Sequence, residues 1–234
     1  MNLYSSLMKA IKEEYKEVSC LKQSDRGSVS VLYHKASGNR VIFRHYHGDP
    51  EAYRRLLHIA HPNLPQIWEV AAKDGWVAVL EEFVQGDTLH FLLMEQRMSG
   101  REAKKILRQL CSALHVLHAN GVVHRDIKPK NVILRGDEAV LIDFDASRIF
   151  KEEQSDDTEV LGTVGYAAPE QYGISQSDKR SDIYSLGVLL NIMLTGKHPS
   201  VELARGRLGQ IVKRCTMINP QMRYKSVLDL LETL

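Results

Sequence analysis

The hydrophobic period of the chain changes near residue 86. Ahead of that point apolar positions alternate. "SVSVLYH" and "RVIFRHY" are β-branched runs joined through Ser37-Gly38-Asn39, which predicts an antiparallel hairpin. "QIWEVAA" and "WVAVLEEF" flank Lys73-Asp74-Gly75 and predict a second one. Between them "DPEAYRRLLHIA", with Pro50 at its start, reads as a short helix. At the N-terminus Leu3, Leu7, Ile11 and Tyr15 fall four apart, predicting an amphipathic helix over residues 1–18. Its apolar stripe can dock on its own domain, on a partner or on a membrane surface.

From residue 87 onward the period lengthens. "REAKKILRQLCSALHVLHANG" places Ile106, Leu110, Leu114 and Leu117 on one helix face, and Gly121 marks the stop. "RSDIYSLGVLLNIMLTG" is apolar almost all round, the mark of a helix at a core centre. Short strands are predicted only at "NVIL" and "AVLIDF". The expected fold is α+β: a strand-rich lobe over 19–84, a connection at 82–86, and a mainly helical lobe over 87–234, with a cleft between the lobes. No internal repeat or low-complexity linker interrupts it.

Composition narrows the class. With 44% hydrophobic and 26% charged residues the 234-residue chain has the make-up of an ordinary soluble protein. A net charge of +2 gives no electrostatic case for nucleic acid. Cys20, Cys111 and Cys215 are widely separated, with no Cys-x-x-Cys spacing, which fits a reducing compartment and argues against structural zinc. No apolar run reaches the roughly 18–20 residues of a membrane span, and the N-terminus lacks a signal-peptide pattern. The expected location is cytoplasmic, without a transmembrane segment.

The most informative stretch is "VVHRDIKPKNVIL", followed by "LIDFDASR". An aspartate can accept the proton of a hydroxyl nucleophile, and a lysine two residues on can neutralise charge on a transferred group. An amide oxygen and a second aspartate can hold a hard cation. Together with "GYAAPEQYG" these segments resemble the protein kinase family, serine/threonine type, over nearly the whole chain. The resemblance implies ATP and Mg2+ as cofactors and a protein as substrate. It implies Asp126 as catalytic base, Lys128 as its charge-neutralising neighbour, and Asn131 and Asp143 as metal ligands. Thr163 would contact the catalytic acid and lysine, and Glu170 would pair with Arg223. Asp182 would hold the catalytic-loop backbone, with His124 as a packed residue. Arg125 lies where the family docks an activating phosphate, and one of the acids Glu152, Glu153, Asp156, Asp157 and Glu159 can take that place. Ser155 and Thr158 are the phosphorylatable residues of the same segment. A short connection between "GKHPS" and "RCTMINP" implies a trimmed helical lobe.

The first half departs from the family pattern. "VIFR" puts Arg44 where the family carries its phosphate-binding lysine, so Arg44 either grips nucleotide phosphates or serves as a surface or ion-pair residue. The glycine loop is reduced to Gly27, with Val29 over the adenine and Lys22 and Ser24 in the other glycine places, which predicts weaker nucleotide binding. Glu82, Phe83 and Val84 would form the adenine-binding edge. Glu81 then falls at a normally apolar position and either faces Arg44 or, in a register shifted by one, leaves Leu80 inside. Glu51 is the only acid on the helix that usually supplies the lysine's partner. Asp145 replaces a glycine and reads as a turn cap or, alternatively, as a further metal contact. Two rival functions remain at this stage: a pseudokinase acting as a nucleotide-binding or scaffold module, and a small-molecule phosphotransferase, which "GTVGYAAPE" disfavours.

Overall fold

The computed structural model describes residues 2–149, 163, 165–172 and 178–234. The chain forms two compact units, one from Met1–His61 with Pro65–Val84 and one from Pro62–Leu64 with Gln85–Leu234.

The first unit is built on an antiparallel five-stranded sheet in the order β1-β2-β3-β5-β4. Its strands are β1 (Tyr15–Ser24), β2 (Gly27–His34), β3 (Arg40–His47), β4 (Ile67–Lys73) and β5 (Trp76–Glu82), accompanied by helices α1 (Leu3–Glu14) and α2 (Glu51–Leu56). Both predicted hairpins form. Asp74 and Gly75 have φ of 52° and 80°, the two positive values that a twist-matched two-residue turn requires. Gly27 is demanded by packing: a β-carbon there would lie 2.2 Å from the His45 carbonyl oxygen on β3.

The N-terminal helix ends four residues before the expected boundary. Asn2 caps its start, accepting from the Ser5 amide at 2.9 Å. At Tyr15 the backbone becomes extended and begins pairing with His34, because strand pairing from Tyr15 onward satisfies backbone groups that a longer helix would leave to solvent. The helix belongs to this unit. Leu7 joins Leu32, Val41, Phe43, Ala71, Ala78 and Leu80 in one core cluster, with Tyr4, Met8, Ile11 and Tyr15 packed around it. Tyr4 also hydrogen-bonds His45 at 2.7 Å. Leu7→Ala should therefore cost about 2–3 kcal/mol of stability, the lower part of the range for a buried leucine. Chemical denaturation reads this as a lowered midpoint with an unchanged slope.

The second unit is mainly helical. Its elements are β6 (Asp87–Thr88), α3 (Leu89–Glu95), α4 (Gly100–Ala119), β7 (Val122–Val123), β8 (Val132–Arg135), β9 (Glu138–Leu141), β10 (Arg148–Ile149), α5 (Lys179–Thr195), α6 (Gly206–Cys215) and α7 (Val227–Glu232). Ser99 and Glu102 close a capping box at the start of α4. The predicted stripe Ile106, Leu110, Leu114 and Leu117 is buried. Helix α5 is buried on nearly every side and packs against α4 and α6. Gly187 permits the α6 contact, since a β-carbon there would lie 2.4 Å from that of Cys215. Strands β8 and β9 form a hairpin that holds the predicted "NVIL" and "AVLIDF" segments side by side.

The cysteines differ sharply in environment. Cys20 is exposed on β1, whereas burial pushes the Cys111 thiol up to about 12 and raises that of Cys215 as well. In the folded protein at neutral pH, one thiol per chain should react with an aromatic disulfide reagent. The other two should react only after denaturation.

Candidate active site

Helix α4 delivers the chain to the loop that carries the site's chemistry. After β7, residues 124–128 cross to a single helical turn at Pro129–Asn131, and β8 then leads away. Arg125 has a left-handed φ of 67°, and Asp143, after β9, one of 71°. Such conformations cost roughly 1–2 kcal/mol in a residue with a β-carbon and persist only where surrounding contacts impose them.

Asp182 on α5 imposes the first. Its Oδ1 accepts from the Arg125 amide at 2.8 Å, and its Oδ2 from the His124 amide at 2.9 Å and His118 Nε2 at 2.8 Å. Burial alone would push the Asp182 carboxyl up. The hydrogen bond and charge of His118, with help from His124 and the Arg125 amide, outweigh that and hold it below the ordinary aspartate value. His124 itself is fully buried, edge-on to Phe144 at 5.5 Å. One tautomer satisfies its ring, Nε2–H donating to the Ile142 carbonyl and Nδ1 accepting from the Asp126 amide. That is a packed structural role.

On this scaffold four of the sequence-predicted residues meet. Lys128 Nζ donates to Asp126 Oδ2 at 2.6 Å and to Thr163 Oγ1 at 2.7 Å. Thr163 Oγ1 in turn donates to Asp126 Oδ1 at 2.7 Å. Asn131 Nδ2 donates to the Asp126 carbonyl at 2.9 Å and to its Oδ2 at 3.0 Å. The Asp126 carboxylate is therefore fixed in orientation from three side chains. Asp143 is tied in nearby through the backbone, the Ile142 amide bonding the Asn131 carbonyl at 2.9 Å. Its own Oδ1 accepts from the Asp145 amide at 3.4 Å. Asp145 lies in a turn and is not among the positive-φ residues, so a β-carbon meets no backbone prohibition there.

Glu170 and Arg223 form a bidentate pair at 2.6 and 2.8 Å, almost wholly buried, with Ser181 donating to the same carboxylate. The acids Glu152, Glu153, Asp156, Asp157 and Glu159, with Ser155 and Thr158, lie outside the described residues.

In the sheet unit, Val29 is buried with Val31 and Ile42, and Phe83 packs against them. Glu82 is half-buried and brackets Gln66: its amide donates to the Gln66 carbonyl, and its carboxylate accepts from the Gln66 amide. Val84 is buried. Arg44 and Glu81 face each other, Nε to Oε1 at 2.7 Å, and Glu81 is only 2% exposed. The shifted register, with Glu81 outside, does not occur. Glu51, the candidate partner on α2, bonds Arg55 at 3.1 Å on the surface instead, one helical turn along. Those two positions are neighbours on a helix of six residues, and the buried face of α2 presents Ala52, Tyr53 and Leu56 instead.

A family model described as "Protein kinase domain" matches residues 4–230. The chain is 31% identical over 180 residues to the serine/threonine-protein kinase pkn2 of Myxococcus xanthus, covering 74% of this chain and 21% of that protein. It is 34% identical over 170 residues to the serine/threonine-protein kinase PrkC of Bacillus subtilis, covering 68% and 26%. Against a probable serine/threonine-protein kinase of Clostridium acetobutylicum, CA_C1728, it is 30% identical over 236 residues, covering 88% and 35%. The chain belongs to the protein kinase family. It spans between a fifth and about a third of the length of these curated relatives.

Sequence reasoning missed three residues of this kinase domain. His118 completes the set of donors to Asp182, and its signal was available, since it continues the stripe Ile106, Leu110, Leu114 by one more step of four. Gln171 is fully buried and donates to the Arg125 carbonyl at 2.8 Å. Tyr53 places its ring 6.0 Å from the Arg44 guanidinium. Neither of these had a sequence signal, because each depends on a contact between different elements of the fold.

The family uses ATP and a divalent metal, and the donor set here suits a hard cation. Asn131 directs its amide nitrogen at Asp126, which leaves Oδ1 as the atom to offer, and Asp143 supplies carboxylate oxygen. Among the described residues no group of three or more His, Cys, Asp or Glu side chains could hold a metal by itself. Two oxygen ligands completed by water and phosphate are the usual arrangement for Mg2+.

Proposed function

We propose that this kinase domain transfers the γ-phosphoryl group of Mg-ATP to serine or threonine hydroxyls of a protein substrate. The observation that carries this reading is the convergence of Lys128, Thr163 and Asn131 on the Asp126 carboxylate. Asp126 orients the acceptor hydroxyl and takes its proton as the oxygen–phosphorus bond forms and the bond to the ADP oxygen breaks. Lys128 neutralises charge gathering on the transferred group. Thr163 holds the carboxylate rotamer, and Asp182 holds the loop. Asn131 and Asp143 are the residues that would hold Mg2+, which when bound offsets phosphate charge. Gly27, Val29, Arg44, Glu82 and Val84 form the nucleotide-binding set.

Asp145 is read as part of the turn after the proposed metal ligand, its backbone amide donating to Asp143 Oδ1. Free thiols at three positions support a reducing, cytoplasmic location. No described helix is long and apolar enough to cross a membrane.

Intact-mass analysis after incubation with Mg-ATP and a generic basic protein tests the reading, with Asp126→Asn as control. Added phosphate on either protein, absent in the control, is the expected result. The binding-module reading predicts none even at millimolar Mg-ATP, and transfer to a metabolite alone would point to a small-molecule phosphotransferase.

A further inference from the structure

The cation at the phosphate-binding position of β3 and its counter-ion belong to one sheet. Ile42 lies opposite Glu81 and Arg44 opposite Val79 in the β3–β5 ladder, so Arg44 and Glu81 are diagonal neighbours on the same face. The ladder runs unbroken from Val41↔Glu82 to His47↔Trp76. With no bulge between the strands, the spacing of the two backbones is set by the hydrogen-bonded register itself. The opposite face of the same stretch carries Val41, Phe43, Ala78 and Leu80, which pack under Leu7 of α1. The side chains of Arg44 and Glu81 are 6% and 3% exposed, so solvent and salt screen their attraction little.

Helix α2 supplies no carboxylate to Arg44 among the described contacts. Its single acid, Glu51, is at the surface with Arg55. What α2 brings to Arg44 is the Tyr53 ring, an uncharged contact.

We infer that Glu81 is the positioning residue for Arg44, so that the sheet presets the phosphate-binding cation without a carboxylate from helix α2. This rests on the reading that Arg44 faces the nucleotide phosphates. The contact to Glu81 is donated by Nε at 2.7 Å, which orients the guanidinium from the β5 side, and a guanidinium can grip phosphate oxygens through two N–H groups at once. An ion pair joining a strand to a helix can be broken by moving the helix. One joining adjacent strands keeps its backbone spacing as long as the ladder stays paired.

The test measures affinity for Mg-ATP and for adenosine, because their ratio isolates the phosphate contacts from binding of the base. Glu81→Gln should lower the preference for ATP over adenosine about tenfold, and Glu51→Gln should leave it within twofold. An equal loss in Glu51→Gln, or no loss in Glu81→Gln, overturns the inference. So does a wild-type protein with no preference for ATP. A lone buried guanidinium can weaken folding, so Arg44→Lys/Glu81→Met is compared with both single variants at a temperature where all remain folded. Coupling predicts that the double variant recovers at least threefold of what Glu81→Met loses; a double variant no better than either single one overturns it. Phosphate transfer is recorded separately. A wild type that prefers ATP but transfers nothing sinks the catalytic reading and leaves the positioning role to be decided by the binding ratios.

Discussion

Asp126→Asn should reduce phosphate transfer by about 10²–10⁴-fold while leaving affinity for Mg-ATP within a few-fold. The asparagine keeps the shape of the side chain and can still accept from Lys128 and Thr163 through one oxygen. It loses the second carboxylate oxygen and with it the capacity to take the acceptor proton. The loss should fall on kcat, since Asp126 acts on the hydroxyl nucleophile and not on the nucleotide. Steady-state kinetics with a basic protein acceptor, beside a nucleotide-binding measurement, separates the two. A kcat within threefold of wild type would mean that the Asp126, Lys128 and Thr163 network is structural only.

The second large effect concerns stability. Asp182→Ala removes the acceptor shared by the buried His124 and Arg125 amides and by the part-buried His118. Stranding buried donors of this kind costs about 3–5 kcal/mol, which for a protein of this size corresponds to roughly 10 °C in the unfolding midpoint. Activity should fall as well, because the left-handed Arg125 backbone would lose the bond that holds it. The effect carries a pH signature. The Asp182 carboxyl is held below its ordinary value in the folded protein, so its contribution is complete above the unfolded-state pKa of about 4 and is lost as pH falls through the lower folded-state value. The stability gap between wild type and Asp182→Ala should therefore be widest near neutrality and shrink below about pH 4. A gap that stays constant down to pH 2 would assign the cost to packing alone.

Asp143, the proposed metal ligand, accepts from the Asp145 amide, and Asp145 lies in a turn that tolerates its β-carbon. Arg44 and Glu81 pair inside the sheet, and the departures from the family pattern leave Lys128, Thr163 and Asn131 together on Asp126. The weaker nucleotide binding expected of a single-glycine loop is a separate matter. Gly27 answers first to the β3 backbone beneath it, a steric demand that holds whether or not phosphate is bound.

By itself the sequence determined the features that depend on short-range pattern. The alternating runs and Asp-Gly turn specified the hairpins, the all-apolar "DIYSLGVLLNIML" specified a core helix, and the fixed spacing of "HRDIKPKN" and "IDFD" specified the candidate site. These signals survive in one dimension because strand pairing, helix faces and loop geometry all repeat over a few residues. Tertiary structure alone decided the rest. The register of β3 against β5 placed Glu81 inward beside Arg44, a choice that one residue of slip would have reversed. The same cross-strand partner left Glu51 to Arg55 at the surface. Strand pairing at Tyr15 ended the N-terminal helix early, and burial against Asp182 gave His118 its role. The Arg44–Glu81 and His118–Asp182 contacts join residues 37 and 64 positions apart, where periodicity carries no information and only packing selects the partner.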